Sequence, residues 1–135
     1  MKEICAKIFA SKRQALRTSI ATLFLVILAP LGLAGCSQEQ RSPEMYAAII
    51  DVRTEEEWSS GHLKGAIRIG IADSDFRDQL GQLDKNAEYY IYCRSGNRAG
   101  QAIDIMREIG FNGELINGGS VANAASELGL EVIVD

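Results

Sequence analysis

The nine residues Tyr90-Ile91-Tyr92-Cys93-Arg94-Ser95-Gly96-Asn97-Arg98 set one thiol between a β-type run and a short, polar, doubly cationic segment. A cysteine acts as a nucleophile in its thiolate form, and neighbouring positive charge favours that form. Arg94 and Arg98 supply such charge. Gly96 and Asn97 both tolerate positive φ, so the backbone between the arginines can curl and turn several N–H groups inward at an anion. The competing reading of the same pattern is a buried structural cysteine followed by exposed arginines.

The flanking elements decide where the thiol would sit. Residues Glu88 to Tyr92 are aromatic and β-branched enough for a strand, and Ala99 to Ile109 repeats apolar residues at helical spacing. Cys93 is therefore expected at the C-terminal end of a strand, just ahead of a helix. Open α/β sheets place their ligand crevices there, and a helix N-terminus offers unpaired N–H groups and roughly half a positive charge.

Other segments fit the same plan. Ala47 to Val52 reads as a buried parallel strand ending in Asp51-Val52-Arg53, and Thr54 with Glu57 as a capping box opening a short helix through Ser60. The run Glu55-Glu56-Glu57 is explained by that helix start, and Trp58 by an apolar anchor. Ala66 to Ile69 is expected as a strand and Asp73 to Leu83 as an amphipathic helix. Gly110 is a natural C-cap for the helix after Cys93. Glu114 to Ile116 is a further strand, Asn117 to Ser120 a turn, Val121 to Leu128 a last helix, and Glu131 to Val134 a terminal strand or tail. Such alternation implies an α/β fold with a small parallel sheet of about five strands and helices on both faces. No internal repeat and no Gly-rich phosphate loop is present.

Charge and cysteine usage narrow the function classes. The formal charge is −4, but it divides into +4 over residues 1–35 and −8 over residues 36–135. An acidic domain argues against nucleic acid as a partner. Residues 1–35 read as an export signal: five Lys/Arg, then the apolar run Ile20 to Ala29, then small residues. Leu33-Ala34-Gly35-Cys36 resembles a bacterial lipobox, which implies cleavage before Cys36, a lipid on Cys36 and a membrane tether formed by residues 36–43. The alternative is an uncleaved anchor, since Thr18 to Gln38 carries no charge over 21 residues. On either reading the domain, expected over residues 44–135, lies outside the cytoplasm. With Cys5 removed and Cys36 lipidated, Cys93 is the one remaining thiol of the 3 cysteines. That excludes an intrachain disulfide and a Cys-x-x-Cys redox pair, and one Cys with one His makes no metal cluster.

Taken in order, Asp51-Val52-Arg53, Glu57-Trp58, Gly61-His62-Leu63-Lys64-Gly65-Ala66, Cys93-x-x-Gly96-x-Arg98 and Gly118-Gly119 resemble the signature of a single-domain rhodanese, closest to the small exported phage-shock type. The resemblance covers about Ser42 to Leu130. It implies a sulfurtransferase in which Cys93 carries a persulfide and Arg94, Ser95, Gly96, Asn97 and Arg98 form the substrate loop. The arginine side chains would draw in the donor, and Asp51 and Arg53 would brace the loop. The implied partners are a small anionic sulfur donor such as thiosulfate and a small or protein thiol acceptor, or cyanide, with no cofactor and no metal. His62 is implied to serve a turn and not catalysis. The six residues from Cys93 to Arg98 match the sulfur-handling loop length, whereas phosphatases and arsenate reductases of this kin carry a longer one. A non-enzymatic rhodanese-like binding module is the remaining alternative. One departure stands out: the tryptophan common after the Gly-Gly turn is absent, and Ser120-Val121-Ala122-Asn123 occupies that region, implying a more open, polar pocket.

Overall fold

The computed structural model of the protein describes residues 41–135. The expected signal over residues 1–35, the lipid site at Cys36 and residues 36–40 of the tether lie outside the described residues.

The sheet is built around β4 (Tyr89–Cys93), whose five residues are all buried. β-branched and aromatic side chains suit a strand covered on both faces. It pairs in parallel with β1 (Ala48–Asp51) on one side and β5 (Leu115–Ser120) on the other. β3 (Ile67–Arg68) pairs in parallel with β1 and completes the order β3-β1-β4-β5. The register sets Asp51 opposite Tyr92 and Cys93 opposite Ser120. The C-terminal ends of β1, β4 and β5 thus share one edge, with Cys93 at its centre.

Alternation along the strands splits the core in two. Ile50, Tyr89, Ile91 and Cys93 join Phe76, Leu80, Ala99, Ala102, Met106 and Phe111 on one face. Ile49, Tyr90 and Tyr92 join Leu63, Ala124 and Leu128 on the other. Helices α2 (Phe76–Gly81) and α3 (Asn97–Glu108) cover the first face and α4 (Val121–Leu128) the second. The expected α/β layering is present.

The strand count differs from the expectation of about five in one sheet. The parallel sheet has four strands, and the terminal segment forms β6 (Val132–Ile133), antiparallel to β2 (His62–Leu63) in a separate pair. Periodicity marks segments as extended but does not say which neighbour they pair with. Helix α1 (Glu55–Ser59) opens with the expected capping box on Thr54 and Glu57. Helix α2 starts three residues late because Asp73, Ser74 and Asp75 are spent on turns, a use their short polar side chains favour. The most consequential shift is in α3, which begins at Asn97 and not at Ala99.

Candidate active site

Because α3 starts at Asn97, Arg98 belongs to the helix, and the loop proper is only Arg94-Ser95-Gly96. Gly96 takes φ +89°, a left-handed backbone that costs a residue with a Cβ about 1–2 kcal/mol. No side chain of the N-cap residue caps α3. The Cys93 sulfur lies at this end: the Gly96 N–H donates to Sγ at 3.0 Å, and the first-turn N–H groups of Arg98 and Ala99 are directed at it as well. Burial pushes the Cys93 thiol up, but the backbone N–H groups of Ser95, Ala99, Gly96 and Arg98 directed at the sulfur pull harder, and its pKa falls below the ordinary thiol value. The backbone geometry of the loop therefore favours the thiolate form before any side chain is counted.

Cys93 itself is 0% exposed. Arg94, Ser95 and Asn97 are exposed around it, and Gly96 and Arg98 are half-buried. Among the described residues Arg94 has no ion-pair partner. Arg98 does: its Nη1 and Nη2 donate to Glu57 Oε2 and Oε1 at 2.6 and 2.8 Å. This fork holds the Glu57 carboxyl down at about 2 and the Arg98 guanidinium above its ordinary value, with a smaller contribution from the adjacent Cys93. Arg98, expected with Arg94 to draw in the donor, is paired with Glu57 in this structure.

Asp51 and Arg53 also differ from their expected use. Both are buried, and the Asp51 carboxylate accepts from the Arg53 backbone N–H at 2.9 Å, from Nε at 2.9 Å and from Nη2 at 2.7 Å. Arg53 Nη2 also donates to the Gly61 carbonyl at 2.7 Å. These bonds fasten the end of β1 to the turn before β2, and among the described residues none of them reaches residues 94–98. The loop is braced from elsewhere. Asn117 Nδ2 donates to the Gly96 carbonyl at 2.9 Å, while its Oδ1 accepts from the Gly119 N–H at 3.0 Å.

Sequence reasoning missed Glu57 and Asn117 as parts of the site. Glu57 has a full explanation in the capping box, where its carboxylate accepts from the Thr54 N–H at 3.3 Å. A second duty for one side chain leaves no extra mark in the sequence. The sequence explains Asn117 as turn-forming, and its position directly before Gly118-Gly119 is the one signal that points to the site. His62 behaves as a structural group. It is 3% exposed, stacks on Trp58 with centroids 3.5 Å apart, and sets Nδ1 3.2 Å from the Trp58 carbonyl oxygen. A hollow of about 250 Å³ lined by Pro43, Tyr46, Ala48, Lys64 and Leu130 lies at the other end of β1.

The sequence family described as the Rhodanese-like domain matches residues 36–125. The chain belongs to the rhodanese-like family. Among characterised relatives it is 37% identical over 62 residues to the thiosulfate sulfurtransferase PspE of Escherichia coli (strain K12), a match covering 46% of this chain and 60% of PspE. It is 35% identical over 79 residues to YtwF of Bacillus subtilis (strain 168), covering 58% of this chain and 73% of that one. The matched stretch is thus under two thirds of PspE's own length. Among solved structures, a rhodanese with anions from E. coli superposes with a TM-score of 0.53 at 28% identity, covering 65% of this chain and 98% of that one.

Proposed function

We propose that this protein is a thiosulfate sulfurtransferase working through a Cys93 persulfide. The observation that carries the reading is the Cys93 sulfur seated at the start of α3, with backbone N–H groups converging on it. Likeness to PspE supports the choice of donor.

In the first step the Cys93 thiolate attacks the outer sulfur of thiosulfate. A bond forms between Sγ and that sulfur, the bond from it to the sulfonate sulfur breaks, and sulfite leaves with the electron pair. The product is a persulfide anion, whose terminal charge needs the same N–H donors that held the thiolate. In the second step cyanide or a thiolate attacks the terminal sulfur, carries it away and returns Cys93 as thiolate. Charge balances in both steps, and neither requires a metal or organic cofactor. Arg94, Ser95 and Asn97 stand exposed at the mouth, where the donor arrives.

The test is thiosulfate:cyanide sulfurtransferase activity, read beside intact mass after thiosulfate treatment. The wild type gains an adduct of ~32 Da, one sulfur atom on the nucleophile, and releases thiocyanate; Cys93→Ser does neither. Thiocyanate formed at the wild-type rate by Cys93→Ser would sink the assignment.

The lipobox-like Leu33-Ala34-Gly35-Cys36 supports a further element of the proposal: a domain outside the cytoplasm, held to a membrane by lipid on Cys36. Labelled palmitate should enter the wild-type protein in a bacterial host and not Cys36→Ala. Equal labelling of both would refute the tether.

A further inference from the structure

The loop carries two arginines but offers only one to a ligand. Glu57 receives both terminal nitrogens of Arg98, at 2.6 and 2.8 Å, and is itself anchored in α1 through the Thr54 N–H. The two side chains are each less than one third exposed, at 29% for Arg98 and 27% for Glu57. A fork of this kind fixes the guanidinium plane and cancels its charge toward anything approaching from solvent. The other charges nearby are spoken for as well. Arg53 is paired with Asp51, and Arg68 with Glu55 and Asp73. Arg94 is exposed and has no ion-pair partner among the described residues.

We infer that Glu57 is a specificity-determining residue of the sulfur-transfer site: by pairing Arg98 it withdraws one of the loop's two cations from donor capture and leaves Arg94 to set the attraction for anionic donors. The inference rests on the sulfur-transfer reading for its substrate, but its physical content is the charge that an incoming molecule meets at Cys93. Glu57 does not touch the reacting atoms. It acts through Arg98, as a positioning residue whose effect is on selection by charge.

The experiment compares alkylation of Cys93 by iodoacetate, an anion, with alkylation by iodoacetamide, its neutral analogue, in the full-length protein, with rates read at the Cys93 peptide by mass spectrometry. Both reagents meet the same thiolate and lose the same leaving group, so a change in thiol reactivity or loop geometry cancels in the ratio of rates. Arg94→Met should lower the iodoacetate:iodoacetamide ratio about threefold, the effect of one unit charge at several ångströms in water. Glu57→Gln, which keeps an oxygen for Arg98 but removes the negative charge, should raise the ratio by about the same factor. Both shifts should shrink in about 1 M salt, where the Debye length is about 3 Å. A ratio unchanged or lowered by Glu57→Gln, or unchanged by Arg94→Met, overturns the inference. Should Glu57→Gln fail to fold, Arg98→Gln takes its place: it leaves the Glu57 charge uncancelled, so the ratio must fall, and an unaltered ratio counts against the inference. None of these readouts needs sulfur transfer. The predicted ratios without any persulfide would sink the proposed function alone, whereas a persulfide with unshifted ratios would sink only the role of Glu57.

Discussion

At the scale of single residues, the site shows how one side chain serves two structures at once. Glu57 caps α1 and clamps Arg98, and the clamp holds its carboxyl at about 2 against an ordinary 4.5. A carboxyl depressed in the folded state stabilises that state wherever it is ionised there. Its contribution is fully present above about pH 4.5 and is lost as pH falls toward 2. Denaturant melts from pH 5 to pH 2 should therefore show a wild-type loss of stability with a component that Glu57→Gln lacks; parallel curves for the two proteins would contradict the clamp. The candidate nucleophile was legible from Cys93 and its basic, glycine-containing surroundings. The partner of Arg98 was not, because Glu57 and Arg98 are 41 positions apart and a capping box already accounted for the glutamate.

At the scale of elements, the thiol is positioned by a helix that starts early and a strand that runs late. α3 begins at Asn97 because Gly96 supplies the left-handed turn that aims the first N–H groups at Sγ. β5 runs to Ser120, through Gly118 and Gly119, where the pairing with β4 is irregular between Ile91 and Cys93. Gly118 is there for space: a Cβ on it would lie 2.1 Å from Tyr90 Cε1. That ring is fully buried, is pinned by its hydroxyl donating to Glu127 at 2.7 Å, and has Tyr46 at 5.4 Å between centroids. It has nowhere to retreat, so Gly118→Ala should cost about 1–3 kcal/mol as overpacking, measured by the denaturant midpoint. An unchanged midpoint would mean that the β5 end is softer than its packing indicates. The sequence marked Gly118-Gly119 as a turn, since glycine pairs signal turns. The need for a strand that passes flush against a tyrosine ring is a tertiary fact.

At the scale of the whole domain, two core layers meet across one parallel sheet, and a small antiparallel pair fastens the second. Tyr92 joins them: it lies in β4, and its hydroxyl accepts from the Leu63 N–H of β2 at 3.1 Å. Burial pushes the Tyr92 phenol well above its ordinary value, so it stays neutral. Tyr92→Phe strands a buried N–H, which costs about 1–3 kcal/mol. Amide exchange at Leu63 should accelerate with it, and a Leu63 amide as protected as in the wild type would show that β2 is held some other way. The layered α/β plan and the placement of Cys93 on the sheet's C-terminal edge were readable in the order of elements. The pairing of β2 with β6 was not, because two-residue strands carry no periodicity and their partners are chosen by the layers already in place.

In the proposed chemistry the sulfur of Cys93 is the reacting atom, and it is also the acceptor for N–H groups at the start of α3. A lineage that abandons the chemistry cannot therefore drift freely at this position. An apolar replacement would leave the first amides of the helix facing a buried hollow with nothing to receive them, so any descendant that keeps the fold must put an oxygen there or recruit an anion from solution. Loss of the reaction and retention of the architecture are thus tied to a narrow set of substitutions, and a silent descendant of this domain would still carry a hydrogen-bond acceptor at the place where the sulfur stood.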